Sequence, residues 1–310
     1  MKKDIIHGKR FLLPSNIKKY HLGTKKKVTA YIEERGGFIV KDAYQPEEFD
    51  HVLIGSQFKH FGYNPQVHLK LYPNATIVFE QELLEFDAEF EYLDTFFENV
   101  TERLRTIFSH TDIFICYYHI GKPYVSKDFK RLEKKHHIPK AIKEFYAIFG
   151  KLKLIWSYAS INIQRSFYDE KDSYNIIASG SGEMYGSIQI LDLKRVFRED
   201  WTKLEHAIHL KSGEKIKIFD YFSDENMAAF ATNTENPLVY MGENHGVVFE
   251  NCKPLVFTDY LKLLFNSYGF IRRNYLFDGA YAYGMKQNLP KLSEILEKPM
   301  ELVPIKLDDI

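Results

Sequence analysis

The histidines and cysteines are the first residues whose type could do chemistry. His206 and His209 stand three apart, a spacing that puts two imidazoles on one helical face. A metal site on that pair needs a third ligand, and Glu205 is the one neighbour that offers a donor, so no metal is expected. His136 and His137 are adjacent and diverge on a helix. Cys116 and Cys252 are the only cysteines and neither belongs to a CxxC pair, which argues against a disulfide framework and a thiolate metal site. Gly180-Ser181-Gly182 lacks the GxxxxGK[ST] pattern of a phosphate loop and lies between strand-like segments, so it reads as a hairpin turn. A GxSxG elbow is missing, and no local context supports a Cys–His nucleophile. On this reading the chain is not an enzyme, and no catalytic residue, metal or cofactor is expected.

The charged and aromatic groupings point to binding instead. Asp220, Asp224, Glu225 and Glu235 flank the IFDYF and TNTEN stretches, with Glu243 just beyond. Such carboxylates either steer a basic partner or serve as ordinary turn residues that bond their own backbone. Tyr221 and Phe222 lie beside them, and Trp201 follows Arg198-Glu199-Asp200. Aromatic side chains of this kind anchor protein interfaces. The candidate partner-binding set is therefore Trp201, Asp220, Tyr221, Phe222, Asp224, Glu225 and Glu235. Trp156 sits in an apolar alternation and reads as core. Residues 2–27 hold Lys2, Lys3, Lys9, Arg10, Lys18, Lys19, Lys25, Lys26 and Lys27 against Asp4, a run that is either phosphate-binding or a solvated face. Lys127–His136 forms a second charged, helical segment.

These groups need scaffolds to position them. A length of 310 residues suggests two domains, and 45% hydrophobic residues suffice for a core in each. Lys plus Arg equals Asp plus Glu at 42 each, which argues against a surface built wholly for nucleic acid. No apolar stretch follows the N-terminal lysines and no long apolar window occurs, so neither a signal peptide nor a membrane span is expected. A reducing, cytoplasmic setting fits the two cysteines.

Residues 9–13, 38–40, 49–54 and 76–79 read as strands and 24–35 as a helix capped by Thr24, with Val28, Tyr31 and Ile32 on one face. Residues 57–72 read as a short helix or loop, and 80–87 as the start of another helix. Strands interleaved with helices favour a mostly parallel, covered sheet. A helical stretch spans 88–110. Strands follow at 113–118, 152–158, 174–179, 187–191, 215–219, 227–232, 238–241 and 246–249, with helices at 138–149, 258–268 (capped by Thr258) and 290–297. This second part reads as α+β with a mainly antiparallel sheet.

The strand–helix start, the Gly36-Gly37 pair, FDHVLIG and IVFEQELLEF resemble a BRCT domain, with Leu83, Leu84 and Phe86 where that family usually carries a tryptophan. IPKAIKEFYAIFG, the strand with Trp156, GSIQILDL, IFDYFSDENMAAF and PLVFTDYLKLLF resemble the SMI1/KNR4 family, also called SUKH. Together the resemblances imply an α/β, BRCT-like parallel-sheet domain over 1–90, a helical connector over 91–110 and an SMI1/KNR4-like α+β domain over 111–310. They also imply a function. SMI1/KNR4 relatives bind other proteins, and bacterial members often neutralise toxins, so an immunity-type module facing a basic toxin domain is expected. A BRCT-type phosphate pocket needs a hydroxyl after the first strand and a lysine on the second helix. Ser15 and Lys59 match by position, which leaves a phosphopeptide- or DNA-associated adaptor as the alternative.

Overall fold

The computed structural model describes residues 5–15, 17, 19–41, 48–59, 66–84, 94–111, 113–158, 163–165, 176–178, 185–198, 216–221, 226–243 and 254–269. The first sheet is built from β1 (Arg10–Leu12), β2 (Phe38–Val40), β3 (His51–Ile54) and β5 (Thr76–Phe79) in the order β2-β1-β3-β5. All of its pairings are parallel. Phe11, Leu12, Val52, Leu53 and Ile54 are fully buried although neighbours along a strand point to opposite faces. Both faces of this sheet are therefore covered, as parallel sheets require.

Helix α1 (Lys25–Glu33) forms as the sequence predicts: the Thr24 side chain accepts from the Lys27 N–H at 3.4 Å, and Val28 and Ile32 are buried. Gly36 takes a φ of +77°, which lets the chain leave α1 and enter β2 within a few residues.

The second sheet is antiparallel and has the order β14-β13-β12-β11-β10-β7-β6-β4 among the described residues. Its strands are β4 (Gln57–Lys59), β6 (Ile113–Ile120), β7 (Leu152–Tyr158), β10 (Tyr185–Ile190), β11 (Ile216–Asp220), β12 (Asn226–Ala231), β13 (Leu238–Glu243) and β14 (Leu255–Val256). A separate pair joins β8 (Ile163–Arg165) to β9 (Ile176–Ala178). A parallel sheet followed by a mainly antiparallel one is what the strand pattern predicts. The expected strand at 246–249, the hairpin at 180–182 and the helix at 290–297 lie outside the described residues.

Strand β6 shows how the pattern IFICYYHI is read in three dimensions. A bulge falls between Ile115 and Tyr117. It shifts the alternation by one residue, so Ile113, Ile115, Tyr118 and Ile120 all join the main core while Cys116 and Tyr117 cluster with Ile155. Helix α4 (Asp94–Ser109) packs against both β5 and β6. Its Phe108 meets Phe79 of β5 and Tyr118 of β6 edge-on, at 5.3 and 5.1 Å between ring centroids. One continuous hydrophobic cluster thus runs from Ile6 to Tyr268 and includes residues of both sheets. Trp156 is fully buried, as expected, and its Nε1–H donates to the Tyr268 carbonyl at 2.7 Å. Among the described residues no helix is long and apolar enough to cross a membrane.

The segment 57–72 departs from the expected helix or loop. Residues 57–59 are β4, a three-residue strand that leaves the parallel sheet and pairs with β6, while α2 (Gln66–Leu71) is the helical part. Gly55 and Ser56 make the step. The Ser56 carbonyl accepts from Ile120 N–H at 2.9 Å and the Ser56 N–H donates to Lys19 O at 3.0 Å.

Capping departs as well. Helix α8 (Phe257–Asn266) starts one residue before Thr258, and its N-cap Val256 makes no side-chain cap. Asn236 supplies it instead, its Oδ1 accepting from Thr258 N–H at 3.3 Å. The preceding residue, Glu235, does the same for α6 (Lys140–Ile148): its carboxylate accepts from Lys140 N–H at 2.7 Å and its carbonyl from Ala141 N–H at 3.0 Å. One turn between β12 and β13 therefore satisfies the first amides of two helices.

A Cβ at residue 55 would lie 2.6 Å from the Lys19 carbonyl oxygen and 2.7 Å from Ile17 and Tyr20 carbons. Gly55→Ala is accordingly expected to lower the unfolding free energy by about 1–3 kcal/mol in urea melts. An unchanged midpoint would mean that the crossover yields without cost.

Candidate functional site

A group of buried polar side chains, Ser56, Gln57, Glu80 and Gln81, lies where the two sheets meet. Glu80 opens α3 (Glu80–Leu83) directly after β5 and is fully buried. Its Oε2 accepts from the His21 backbone N–H and its Oε1 from that of Leu22, both at 2.7 Å. A third backbone bond comes from Ser56. One carboxylate therefore holds the turn around Leu22, the crossover at Ser56 and the end of β5. Burial pushes its acid up to about 7, against the opposing pull of the Leu22, His21 and Ser56 amides.

The surrounding groups respond to the same burial. The Tyr20 phenol is pushed up by burial first and then by the charge of Glu80. The His21 imidazole falls to about 4, mainly through burial, with a hydrogen bond to the Ile120 backbone resisting and the charge of Lys122 assisting. His119, opposite Gln57 across β4 and β6, falls to about 3 through burial and then the charges of Lys151, His21, Lys153 and Lys19. Both imidazoles are neutral at neutral pH. Gln57 Nε2 donates to the Tyr117 hydroxyl at 3.3 Å. Gln81 is fully buried, and neither atom of its amide has a hydrogen-bond partner. Leaving a buried amide unpaired costs about 1–3 kcal/mol.

A carboxyl poised near 7 beside histidines is the kind of group that moves protons in active sites. Here both Glu80 oxygens already accept from backbone amides of the scaffold. The same holds next door: Glu82 accepts from Phe79 N–H at 2.8 Å and meets Arg105 at 2.6 Å, and Arg105 also donates to Ile77 O at 2.9 Å. These carboxylates fasten segments together. Sequence reading passed over Glu80; its signal is an acid placed immediately after the apolar strand TIVF, where burial demands partners.

Among the described residues, the two acids picked out by the sequence, Asp220 and Glu235, do not share one face. Asp220 is corrected from a surface acid to a buried one: it is fully buried, with Oδ1 accepting from Gln189 N–H at 2.9 Å and Oδ2 from the Tyr260 hydroxyl at 2.7 Å, so its carboxylate is turned into the core. Tyr221 is half-buried and packs on the core. Glu235 is exposed but is spent on capping α6 and lies 3.4 Å from His137. It also sits in the turn after β12, whereas Asp220 ends β11 beside the start of β12. With about 3.3 Å per residue of strand, the two acids stand at opposite ends of one hairpin, which removes the single acidic face that included both. Trp201, Phe222, Asp224 and Glu225 lie outside the described residues.

Ser15 follows β1 in an exposed position. Lys59, its expected partner at a phosphate, is corrected too: it lies on strand β4 and not on a helix. Part of the N-terminal basic run is spent within the fold. Lys9 pairs with Asp50 at 3.6 Å, and Lys25 donates to the Leu13 and Pro14 carbonyls. Burial pushes the Cys116 thiol up to about 11, which suppresses its thiolate. Among the described residues no three His, Cys, Asp or Glu side chains are grouped to hold a metal ion.

No protein family, curated protein or solved structure matches the chain.

The seam has a pH signature. Folded Glu80 keeps its proton up to about 7, against an ordinary 4.5, so folding takes up a proton between those values. Its contribution to stability therefore falls as pH rises, by at most about 1.4 kcal/mol per pH unit. His21 and His119 act in the opposite sense, since the unfolded imidazoles gain protons below 6.5 and the folded ones only near 4 and 3. In urea melts across this range, the stability of Glu80→Gln relative to the native chain is expected to rise with pH between 4.5 and 7. A pH-independent difference would mean that Glu80 ionises alike in both states. Separately, Glu235→Ala and Asn236→Ala are each expected to cost about 1 kcal/mol, read from the same melts.

Proposed function

We propose that the chain is a non-enzymatic protein-binding module of the immunity type, neutralising a toxin by covering its working surface. The family reading that accompanies it is a BRCT-like parallel-sheet unit followed by an SMI1/KNR4-like α+β unit. The sequence of a parallel and then a mainly antiparallel sheet supports that reading. Its mechanism is occlusion by a rigid body, with no bond made or broken.

The observation that carries the proposal is Phe114. This side chain is 46% exposed on β6, next to the bulge, on the face that also bears the Cys116–Tyr117–Ile155 cluster. Its neighbours Ile113 and Ile115 are buried on the opposite, helix-covered face. A large aromatic ring left in water on a stiff sheet loses little freedom on docking and offers much area to bury. The described carboxylates Glu80, Glu82 and Asp220 are meanwhile committed to holding the fold. The phosphate-reading alternative keeps Ser15, while Lys59, the lysine assigned to it, lies on a strand.

The test uses the protein encoded by the neighbouring gene as partner. Size-exclusion chromatography with light scattering is expected to give a one-to-one complex. Phe114→Ala is expected to weaken it by about 2 kcal/mol, roughly thirtyfold in Kd, at an unchanged melting temperature. Absence of a complex, or equal affinity for Phe114→Ala, removes this reading.

A further inference from the structure

Helix α5 (Ser126–Glu133) presents two unlike faces. Phe129 and Leu132 are buried, and Phe129 packs against Tyr124 at 5.7 Å. Lys127, Lys130, Arg131 and Lys134 follow the i, i+3, i+4, i+7 spacing of the opposite face, and all four are exposed. Lys134 is the C-cap and keeps a right-handed helical conformation, so the stripe runs unbroken through it. Neither acid of the helix neutralises this stripe. Asp128 turns back to the Val125 N–H at its own N-terminus, and Glu133 pairs with Lys143 of α6 at 2.8 Å. Among the described residues none of the four cations has an ion-pair partner. Lys135 is exposed just beyond, and its charge and that of Lys217 add to burial in lowering the His136 imidazole, so the positive field continues past the helix end.

We propose that this stripe is a docking surface for the phosphate backbone of duplex DNA. Four cations lie along about 10 Å of helix, and each DNA strand places a phosphate every 3.4 Å or so along its axis, so the stripe spans about three successive phosphates. The alternatives fit the side chains less well. An anionic membrane takes up a helix that has an apolar face to insert, and the apolar face of α5 is already buried in the core. Protein interfaces are depleted in lysine and centre on aromatic or aliphatic anchors, whereas this stripe consists of cations alone. Single-stranded nucleic acid calls for stacking platforms, and no aromatic residue lies on the stripe. The contact is to backbone alone, which makes it indifferent to sequence.

The measurement is fluorescence anisotropy with a labelled mixed-sequence DNA duplex, titrated with the full chain over a salt series. The native chain is expected to bind with an affinity that falls steeply with salt. The variant Lys127→Gln/Lys130→Gln/Arg131→Gln/Lys134→Gln is expected to bind roughly tenfold or more weakly at low salt, with the slope of log affinity against log salt shallower by about 3–4. A control that removes as exposed a pair of charges on α1, Lys26→Gln/Lys27→Gln, is expected to leave both quantities unchanged. Should the fourfold variant melt early, Lys130→Gln/Arg131→Gln is used, with a slope shallower by about 2. No binding of the duplex, an unaltered slope in the stripe variant, or tighter binding of single-stranded DNA, duplex RNA, polyglutamate or anionic vesicles would each overturn the proposal.

Discussion

Glu80 stands at the end of β5 where two further pieces of chain, the turn at His21-Leu22 and the crossover at Ser56, have to meet it, and its side chain accepts from the backbone of both. Backbone amides in a buried turn need acceptors, and a carboxylate supplies two oxygens at once. Without it the amides of His21 and Leu22 would lie unpaired beside the step from the parallel to the antiparallel sheet. That step carries β3 into β4 and lets one hydrophobic cluster serve both sheets. The cost is visible in the titration of the same group: the environment that needs the acceptor also resists its charge.

The same economy recurs at the other end of the molecule. Glu235 and Asn236 look like polar turn residues with solvent-facing duties, but each satisfies the first amides of a helix. Asp220, which reads as a surface acid, is a buried acceptor between a strand amide and a tyrosine hydroxyl. Four exposed cations of α5 have no ion-pair partner among the described residues. Surface character is thus set less by which charges the chain contains than by which of them the fold consumes.

Local features were legible from the sequence. Thr24, Val28 and Ile32 define α1, the Gly36-Gly37 pair stands where the chain passes from α1 into β2, and the segment 152–158 read as a strand has the bounds of β7. These signals are encoded within a few positions. What escaped is encoded across long separations. Strand β4 is three residues long, too short for alternation to register, and exists because β6 pairs with it. Thr258 looked like a cap because the residue that does the capping is 22 positions away. Of the candidate contact residues, those with a described structural duty had it assigned by tertiary neighbours, 95 positions off for Glu235 and 40 for Asp220.

The early position of β4 in the chain also bears on biosynthesis. Gln57 leaves the ribosome well ahead of Tyr117, its hydrogen-bonded neighbour 60 positions later. Until β6 is made, the segment that becomes β4 lacks its ladder partner and has the isolated bridge from Gln57 to Lys19. The four strands of the parallel sheet all lie within residues 10–79, so that sheet can pair before β6 is synthesised, whereas the antiparallel sheet gains its β4 edge from chain made long before the rest of it.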